Sequence, residues 1–166
     1  KPLPTDFKSL KALAEQGFAR AQWSLGLMYC DGQGVEQNAK EAVKWYRRAA
    51  VQGDANAQNS LGYMYDNGKG VLEDDKEAVK WFRKAAEQGF FGAQKNLGLM
   101  YFKGEGVPKD HVTAYAWWSI AANGFAQVKG VKDLLAKTMT PDQIAKAEAL
   151  AKEMIKKNSK LIRKKK

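Results

Sequence analysis

Apolar residues recur every three or four positions along much of this 166-residue chain, and the whole pattern returns every 36 residues. Ala21, Leu25 and Met28 show the short spacing, which places them on one face of a helix. When residues 21–56 are laid over residues 57–92 without a gap, 21 of the 36 positions are identical. A repeat of this length indicates an array of similar structural units.

Each unit predicts two helices joined by a short turn. The first helix carries a glycine directly after a leucine, at Gly26, Gly62 and Gly98. A glycine inside a helix costs about 1 kcal/mol relative to alanine. Its return in every unit therefore predicts a second helix that crosses there and leaves room only for a hydrogen. The first helix ends at a Gly-x-Gly-Val turn, whose glycines suit a left-handed backbone. This turn occupies residues 32–35, 68–71 and 104–107.

The second helix of each unit begins with a polar cap and carries aromatic residues. Residues 38–41 (Asn-x-x-Glu) and 74–77 (Asp-x-x-Glu) place a capping side chain and an acid in the first turn. Residues 140–143 (Thr-Pro-Asp-Gln) form a capping box that predicts a final amphipathic helix covering the last repeat. Aromatic residues that return in every unit serve what every unit shares, so we predict that they form the core. They are Trp45, Trp81, Trp117, Tyr46, Phe82, Trp118, Tyr29, Tyr65 and Tyr101.

The pattern predicts an all-α fold that forms one solenoid over residues 1–158, with a basic tail at 159–166. The solenoid is divided into a half-unit at 5–17, repeats at 18–53, 54–89 and 90–124, a degenerate unit at 125–138 and a capping helix at 140–158. A solenoid needs such a cap because its terminal units would otherwise expose their stacking face.

The repeated motif is Ala-Gln-x-x-Leu-Gly-x-x-Tyr, then Gly-x-Gly-Val, then Lys-x-Ala-x-x-Trp-[Tyr/Phe]-x-x-Ala-Ala-x-x-Gly. It closely resembles the Sel1-like repeat, a relative of the tetratricopeptide repeat, from about residue 5 to residue 126. The resemblance implies a right-handed α-helical superhelix whose first helices line a concave groove. It also implies a role as an adaptor that docks partner proteins or, in some members, as an immunity protein that neutralises a toxic effector. One branch with a disulfide in each repeat is linked to β-lactam binding, and the single Cys30 departs from that branch.

Charge at first suggests a polyanion as partner, since 28 Lys and Arg face 18 Asp and Glu, a net +10. Residues 152–166 carry eight of these cations and one acid, a net +7, so the preceding 151 residues carry only +3. We interpret the basic end as a solvated, frayed helix terminus. The alternative is weak docking of this end onto an anionic surface. No aromatic residue follows Phe125, so the stacking that binds single-stranded nucleic acid is not expected, and we predict no nucleic-acid partner.

The chemistry-bearing residues are few, and we expect no catalysis, metal or cofactor. The single histidine, His111, falls at the start of a second helix, where solvent exposure is expected. Cys30 falls on the last turn of a first helix and is interpreted as an incidental thiol rather than a redox switch. The Gly-x-Gly turns differ from phosphate loops because no strand precedes them and no lysine follows in the required place. Apolar runs are too short to cross a bilayer.

Residues that break the repeat at exposed positions are free to encode a partner. On a tetratricopeptide-like first helix, the groove is lined by the second, fifth, ninth, twelfth and thirteenth positions. With Leu25 and Gly26 fixing the frame, we call these positions the inner row. The inner row is Arg20, Trp23, Leu27, Cys30 and Asp31, then Asn56, Asn59, Tyr63, Asp66 and Asn67, then Gly92, Lys95, Leu99, Phe102 and Lys103. Trp23 and Tyr63 are the expected anchors, since aromatic residues dominate binding energy at interfaces. The alternative is that Trp23 packs against the N-terminal half-unit.

These observations predict a non-enzymatic module, a monomer, that holds a partner protein or peptide in its groove. A bacterial envelope or secreted adaptor is favoured, and an immunity protein is the alternative. A receptor for a small ligand, or a hydrolase of the β-lactam type, is a second alternative that requires a closed pocket with convergent polar groups. The start at Lys1 without a leader favours a mature periplasmic or secreted chain over a cytoplasmic one.

Overall fold

A computed structural model describes residues 3–162, and every regular element within this range is helical. The α-helices are α1 (Phe7–Glu15), α2 (Ala19–Asp31), α3 (Ala39–Val51), α4 (Ala55–Asp66), α5 (Asp75–Glu87), α6 (Phe91–Lys103), α7 (His111–Ala121), α8 (Gln127–Ala136) and α9 (Pro141–Lys157). A short 3₁₀ helix follows at Ser159–Leu161. The predicted all-α class is confirmed. None of the described helices is both long enough and apolar enough to cross a membrane.

The chain divides into two compact units, Lys1–Trp81 and Phe82–Lys166, which we call the N-terminal unit and the C-terminal unit. In the N-terminal unit, α1 packs against α2, α2 against α3 and α3 against α4. In the C-terminal unit, α6 packs against α7, and α7 also packs against α8 and α9. Helices that are neighbours in sequence are thus neighbours in space within each unit, as repeat architectures require.

The recurrent tryptophans and the aromatic residues that follow them form the core, as predicted. Trp45, Trp81, Trp117, Tyr46, Phe82 and Trp118 are each at most 7% exposed. The recurrent tyrosines pack against the core clusters but are only half-buried, so the prediction holds for them in part. Two of their hydroxyls have polar partners near the surface. Arg47 donates to the Tyr65 hydroxyl at 2.6 Å, and Arg83 donates to that of Tyr101 at 2.8 Å.

The helix-crossing glycines behave as predicted at both positions where the surroundings are described. A Cβ at Gly26 would lie 2.6 Å from two ring carbons of Tyr46 on the neighbouring helix α3. A Cβ at Gly98 would lie closer than 3.0 Å to two atoms of the Trp118 indole on α7. Only a hydrogen fits at these crossings, so the glycines set the approach of each pair of helices.

The predicted helix caps are confirmed. Asn38 accepts from the backbone N–H of Glu41 at 3.1 Å, and Asp74 accepts from that of Glu77 at 3.0 Å. At the start of α9, Thr140 and Gln143 form the reciprocal capping box, with bonds of 3.2 and 2.9 Å. Helix α9 then packs on α7 and buries Ala147 completely in a cluster with Trp118, so it covers the last repeat as expected.

Asp110 caps α7, and its replacement by alanine is expected to lower the free energy of unfolding by about 1 kcal/mol at pH 7. Burial raises the pKa of Asp110, but hydrogen bonds from Thr113 and Val112 outweigh burial and hold the pKa below its ordinary value. Because the charged form is stabilised, the contribution is complete above the unfolded Asp pKa of about 3.9 and is lost as the pH falls through the folded pKa. Urea unfolding of both proteins from pH 7 to pH 2 measures this difference.

The control for the Asp110 experiment is Asp133→Ala, which removes an exposed carboxylate in α8. It is expected to change the free energy of unfolding by less than about 0.5 kcal/mol. A difference between wild type and Asp110→Ala that stays the same at pH 7 and pH 2 would contradict the assigned role of the carboxylate.

A buried glutamine joins consecutive helices at the same point in every repeat. Gln22, Gln58 and Gln94 are each at most 5% exposed. Each donates from its side-chain amide to the backbone carbonyl eight residues earlier, at 3.1, 3.1 and 3.2 Å. Gln22 also accepts at its Oε1 from Gln52, at 2.7 Å. In the third repeat, the position equivalent to Gln52 is Gly124, which has no side chain to donate to Gln94. The Gln94 Oε1 has no hydrogen-bond partner among the described residues.

The C-terminal segment contacts this third glutamine. The amide of Gln94 also donates to the carbonyl of Leu161 at 2.9 Å, and Asn158 donates to the carbonyl of Glu87 at 2.8 Å. Leu161 is 3% exposed. The interpretation of the basic end as a solvated, frayed terminus is therefore wrong for residues 158–161. These residues are held by the hydrogen bonds to Glu87 and from Gln94 and by the burial of Leu161. Residues 163–166 of the predicted basic tail, and Lys1, lie outside the described residues.

Candidate functional site

The residues proposed as partner-binding all remain at least partly accessible. Those in the N-terminal unit are Arg20, Trp23, Leu27, Asn56, Asn59, Tyr63, Asp66 and Asn67, and those in the C-terminal unit are Lys95, Leu99, Phe102 and Lys103. Among them Tyr63, Leu99 and Phe102 are 43%, 36% and 37% exposed, which is high for large apolar side chains. The aromatic residues that break the repeat are thus left accessible, whereas the recurrent tryptophans are buried.

Three residues of the inner row share one cavity in the N-terminal unit. The spacing of Arg20, Trp23 and Leu27 puts them on one face of α2. They line a cavity of about 780 Å³. Leu10 of α1 and Met28 of α2 are among its other walls. The half-unit therefore supplies one side of the cavity and the first full repeat supplies the other.

Trp23 is fixed by the next repeat. Its indole Nε1 donates to the Ser60 hydroxyl on α4 at 3.2 Å, and its ring packs against the apolar cluster of α3 and α4. The alternative that Trp23 packs with the apolar cluster of the half-unit is therefore not what the structure shows. On the other side, the Arg20 guanidinium carbon lies 5.8 Å from the centre of the indole ring. The indole is held in place with part of its surface facing the cavity.

A small polar group lies beneath Trp23. The Tyr46 hydroxyl interacts with the hydroxyl of Ser60 and the thiol of Cys30. Burial raises the pKa of Tyr46 strongly, and the thiol adds to that effect, so the phenol stays neutral at physiological pH. Cys30 itself is half-buried and free, in agreement with its placement on the last turn of α2. Through Ser60, this group is connected to the Trp23 indole and helps to orient it.

Tyr63 occupies the middle of the inner row with its hydroxyl in a fixed position. Lys69 donates to that hydroxyl at 3.1 Å, and the Lys69 ammonium lies 5.0 Å from the ring centre. The hydrogen bond to Tyr63 raises the pKa of Lys69 above its ordinary value. Asn67 donates to the Tyr63 carbonyl at 2.9 Å and to the Asp66 carboxylate at 3.2 Å. An exposed aromatic ring is thus surrounded by polar groups that restrict its movement.

In the C-terminal unit, Phe102 stacks on His111. Their ring centres are 5.2 Å apart with an angle of 19° between the planes, and Trp118 lies 5.7 Å from Phe102. The expectation of a solvated His111 is wrong: the residue is half-buried, and its Nε2 is buried without a hydrogen-bond partner among the described residues. Phe102 covers the imidazole, a contact between α6 and α7 that the repeat register does not reveal.

One position that was not among the predicted site residues lies beside the inner row in each repeat. It is the central residue of the Gly-x-Gly turn, at Gln33, Lys69 and Glu105. Gln33 lines the cavity with Trp23, Lys69 bonds to Tyr63, and Glu105 forms an ion pair with Lys103 at 3.1 Å. The signal was present, because this residue changes in every repeat between two constant glycines.

No group of three or more His, Cys, Asp and Glu that could hold a metal occurs within residues 3–162. The cavity beside Trp23 has no acidic side chain among its described lining residues. Its chemistry, an apolar wall with one guanidinium and an indole, is suited to binding.

Comparison with known proteins gives matches in sequence and in structure. The family model described as the Sel1 repeat matches residues 19–54, 55–90 and 92–124. A protective antigen of uropathogenic Escherichia coli strains that displays an SLR fold is 39% identical with a TM-score of 0.86, over 92% of this chain and 33% of that one. A Sel1 repeat protein from Oxalobacter formigenes is 44% identical with a TM-score of 0.66, over 69% of this chain and 47% of that one. The chain thus spans about a third and about half the length of these two structures. No curated protein sequence matches it.

Proposed function

The chain belongs to the Sel1 repeat family, and from this premise we propose that it is a non-enzymatic binding module whose inner row holds a segment of a partner protein. Its structural relatives are bacterial, and one of them is a protective antigen. We propose accordingly that it acts as an adaptor in the bacterial envelope or outside the cell.

One observation carries the proposal: the aromatic residues that differ between repeats are accessible, whereas the recurrent tryptophans are buried. Tyr63 is 43% exposed and Phe102 is 37% exposed, whereas each recurrent tryptophan is at most 7% exposed. A large exposed aromatic ring is costly in water, and clusters of such residues mark interaction surfaces. Tyr63 stands where the other repeats carry Leu27 and Leu99, and Phe102 stands where they carry Cys30 and Asp66, so the packing that all repeats share does not explain these two rings.

Alanine at Trp23 or Tyr63 is expected to weaken binding of the partner by about 30-fold, equivalent to the roughly 2 kcal/mol typical of an anchor residue. The partner is first identified by photo-cross-linking from the Tyr63 position and is then purified. Isothermal titration calorimetry with this purified partner measures the dissociation constant for each variant. Circular dichroism verifies that each variant is folded.

Two control variants separate recognition from structural damage. Ser60→Ala keeps the Trp23 ring but removes the hydrogen bond that orients its indole, so binding is expected to weaken by about fivefold, less than in Trp23→Ala. Leu72→Ala removes the most exposed large apolar side chain, which lies outside the inner row and is 90% exposed. It is expected to leave binding unchanged. If folded Trp23→Ala and Tyr63→Ala proteins both bind as tightly as wild type, the inner row is not the binding surface.

A further inference from the structure

We propose that the cavity beside Trp23 binds an acidic aliphatic segment, with an aliphatic side chain inside the cavity and a side-chain carboxylate on Arg20. This inference rests on the proposed function, because it specifies which part of a partner the N-terminal end of the inner row recognises. The occupant is an internal segment of a protein chain, defined by a leucine-like side chain next to an aspartate or glutamate.

The walls of the cavity account for the aliphatic part. Leu10, Leu27 and Met28 surround it together with the indole of Trp23. Its volume of about 780 Å³ leaves room for more than one side chain. Burial of apolar surface contributes about 25 cal/mol per Å², so an aliphatic side chain gains from entering. A methionine wall also adapts to differently branched side chains.

Arg20 accounts for the acidic part. Its side chain is exposed at the cavity, and its guanidinium lies over the Trp23 ring, which keeps it close to the apolar wall. The described residues contain no ion pair to this guanidinium and no carboxylate lining the cavity. Arginine binds carboxylates through two parallel hydrogen bonds. The cavity therefore presents a cation with no counterion among residues 3–162.

The combination of arginine and tryptophan occurs only in the first repeat. The register equivalents of Arg20 are Asn56 and Gly92, and those of Trp23 are Asn59 and Lys95. Residues 1–81 contain 11 basic and 11 acidic side chains, so the N-terminal unit has no net charge that would attract every anion. The preference for an acidic segment is thus local to Arg20.

Three ten-residue peptides with blocked ends test the inference by calorimetry against the full chain. Their centres are Asp-Leu-Leu-Asp, Lys-Leu-Leu-Lys and Asp-Ser-Ser-Asp, flanked by Gly and Ser. The first is expected to bind at least about tenfold more tightly than the other two, because only it meets both the apolar wall and the guanidinium. Shifts of the Trp23 indole NMR signal locate the bound peptide at the cavity.

Arg20→Gln is expected to weaken binding of the acidic aliphatic peptide by up to about fivefold, since an exposed ion pair contributes at most about 1 kcal/mol. Arg48→Gln is the matched control, since the Arg48 guanidinium also lies over a tryptophan ring, at 4.6 Å from Trp45, and does not line the cavity. It is expected to leave the affinity unchanged.

Equal binding of the lysine peptide, or an unchanged affinity in Arg20→Gln, overturns the inference. So does the absence of binding of the acidic aliphatic peptide at 1 mM, the top of the titrated range. Those results leave the proposed function standing if the purified partner still depends on Trp23 and Tyr63. Loss of that dependence instead refutes the proposed function itself.

Discussion

A chain that ends at Lys157 is expected to have a free energy of unfolding about 3 kcal/mol lower than a chain that ends at Ile162. The shorter chain loses the burial of Leu161, which is 3% exposed, and the hydrogen bonds of Asn158 to Glu87 and of Gln94 to Leu161. Removal of a buried leucine side chain alone costs about 2 kcal/mol or more. Urea unfolding followed by circular dichroism measures the difference.

Point variants identify which contact is responsible. Leu161→Ala in the full chain is expected to account for about 2 kcal/mol. Lys160→Ala alters an exposed neighbour and is expected to change stability by less than about 0.5 kcal/mol. Equal stability of the chains that end at Lys157 and Ile162 would show that the C-terminal segment does not stabilise the C-terminal unit.

Gly98→Ala is expected to lower the free energy of unfolding by about 2 kcal/mol, although alanine is the better helix former. The new methyl group would overlap the indole of Trp118, which is 2% exposed and has no free space to move into. Displacement of that ring also breaks the hydrogen bond from its Nε1 to the Lys95 carbonyl, now 3.0 Å long. Thermal and urea unfolding of the purified variant provide the measurement.

The matched variant is Gly130→Ala, in the middle of α8. A Cβ at Gly130 would meet nothing within 4 Å, and the residue is exposed. Alanine is therefore expected to stabilise the protein there, by up to about 1 kcal/mol. A Gly98→Ala protein as stable as the wild type would mean that α6 and α7 can separate at this crossing without cost.

The repeat makes most of the fold predictable, since each local signal appears several times in the same register. The glycine of each first helix, the Asn and Asp caps and the capping box before α9 all have the roles that their spacing indicates. A single glycine such as Gly98 would be ambiguous in isolation. Its recurrence together with the tryptophan row indicates a close helix crossing.

Contacts that do not recur from one repeat to the next were not predicted. Leu161 reaches Gln94 across 67 residues of sequence, and no repeat offers a template for that contact. Phe102 and His111 both differ from the residues at the same positions of the other repeats. A comparison between repeats therefore does not reveal that their rings stack. The tyrosine row was predicted to lie in the core because recurrence identifies a shared role, and at Tyr65 and Tyr101 that role combines packing against a core cluster with a hydrogen bond from an arginine.

The candidate site was predictable as a set of positions, whereas its geometry was not. The helical frame correctly selected residues that remain accessible, including Tyr63. The frame does not show that Arg20, Trp23 and Leu27 share a cavity with the half-unit. It also does not show that Ser60 orients the indole, since these arrangements depend on side-chain packing between helices.

The variable residue of the Gly-x-Gly turn has a consequence for how such a chain diverges in evolution. The flanking glycines hold the left-handed backbone at both ends of the turn, for example at Gly68 and Gly70 with φ of 59° and 70°. The backbone N–H of the residue between them helps to end the first helix, as where Lys69 donates to the Met64 carbonyl at 2.9 Å, but that bond does not depend on the side chain. The side chains of Lys69 and its counterparts lie beside the inner row. One codon per repeat can therefore change the charge beside the inner row while the packing of the helices is conserved. Gene duplication followed by drift at these codons would diversify recognition at little cost to folding.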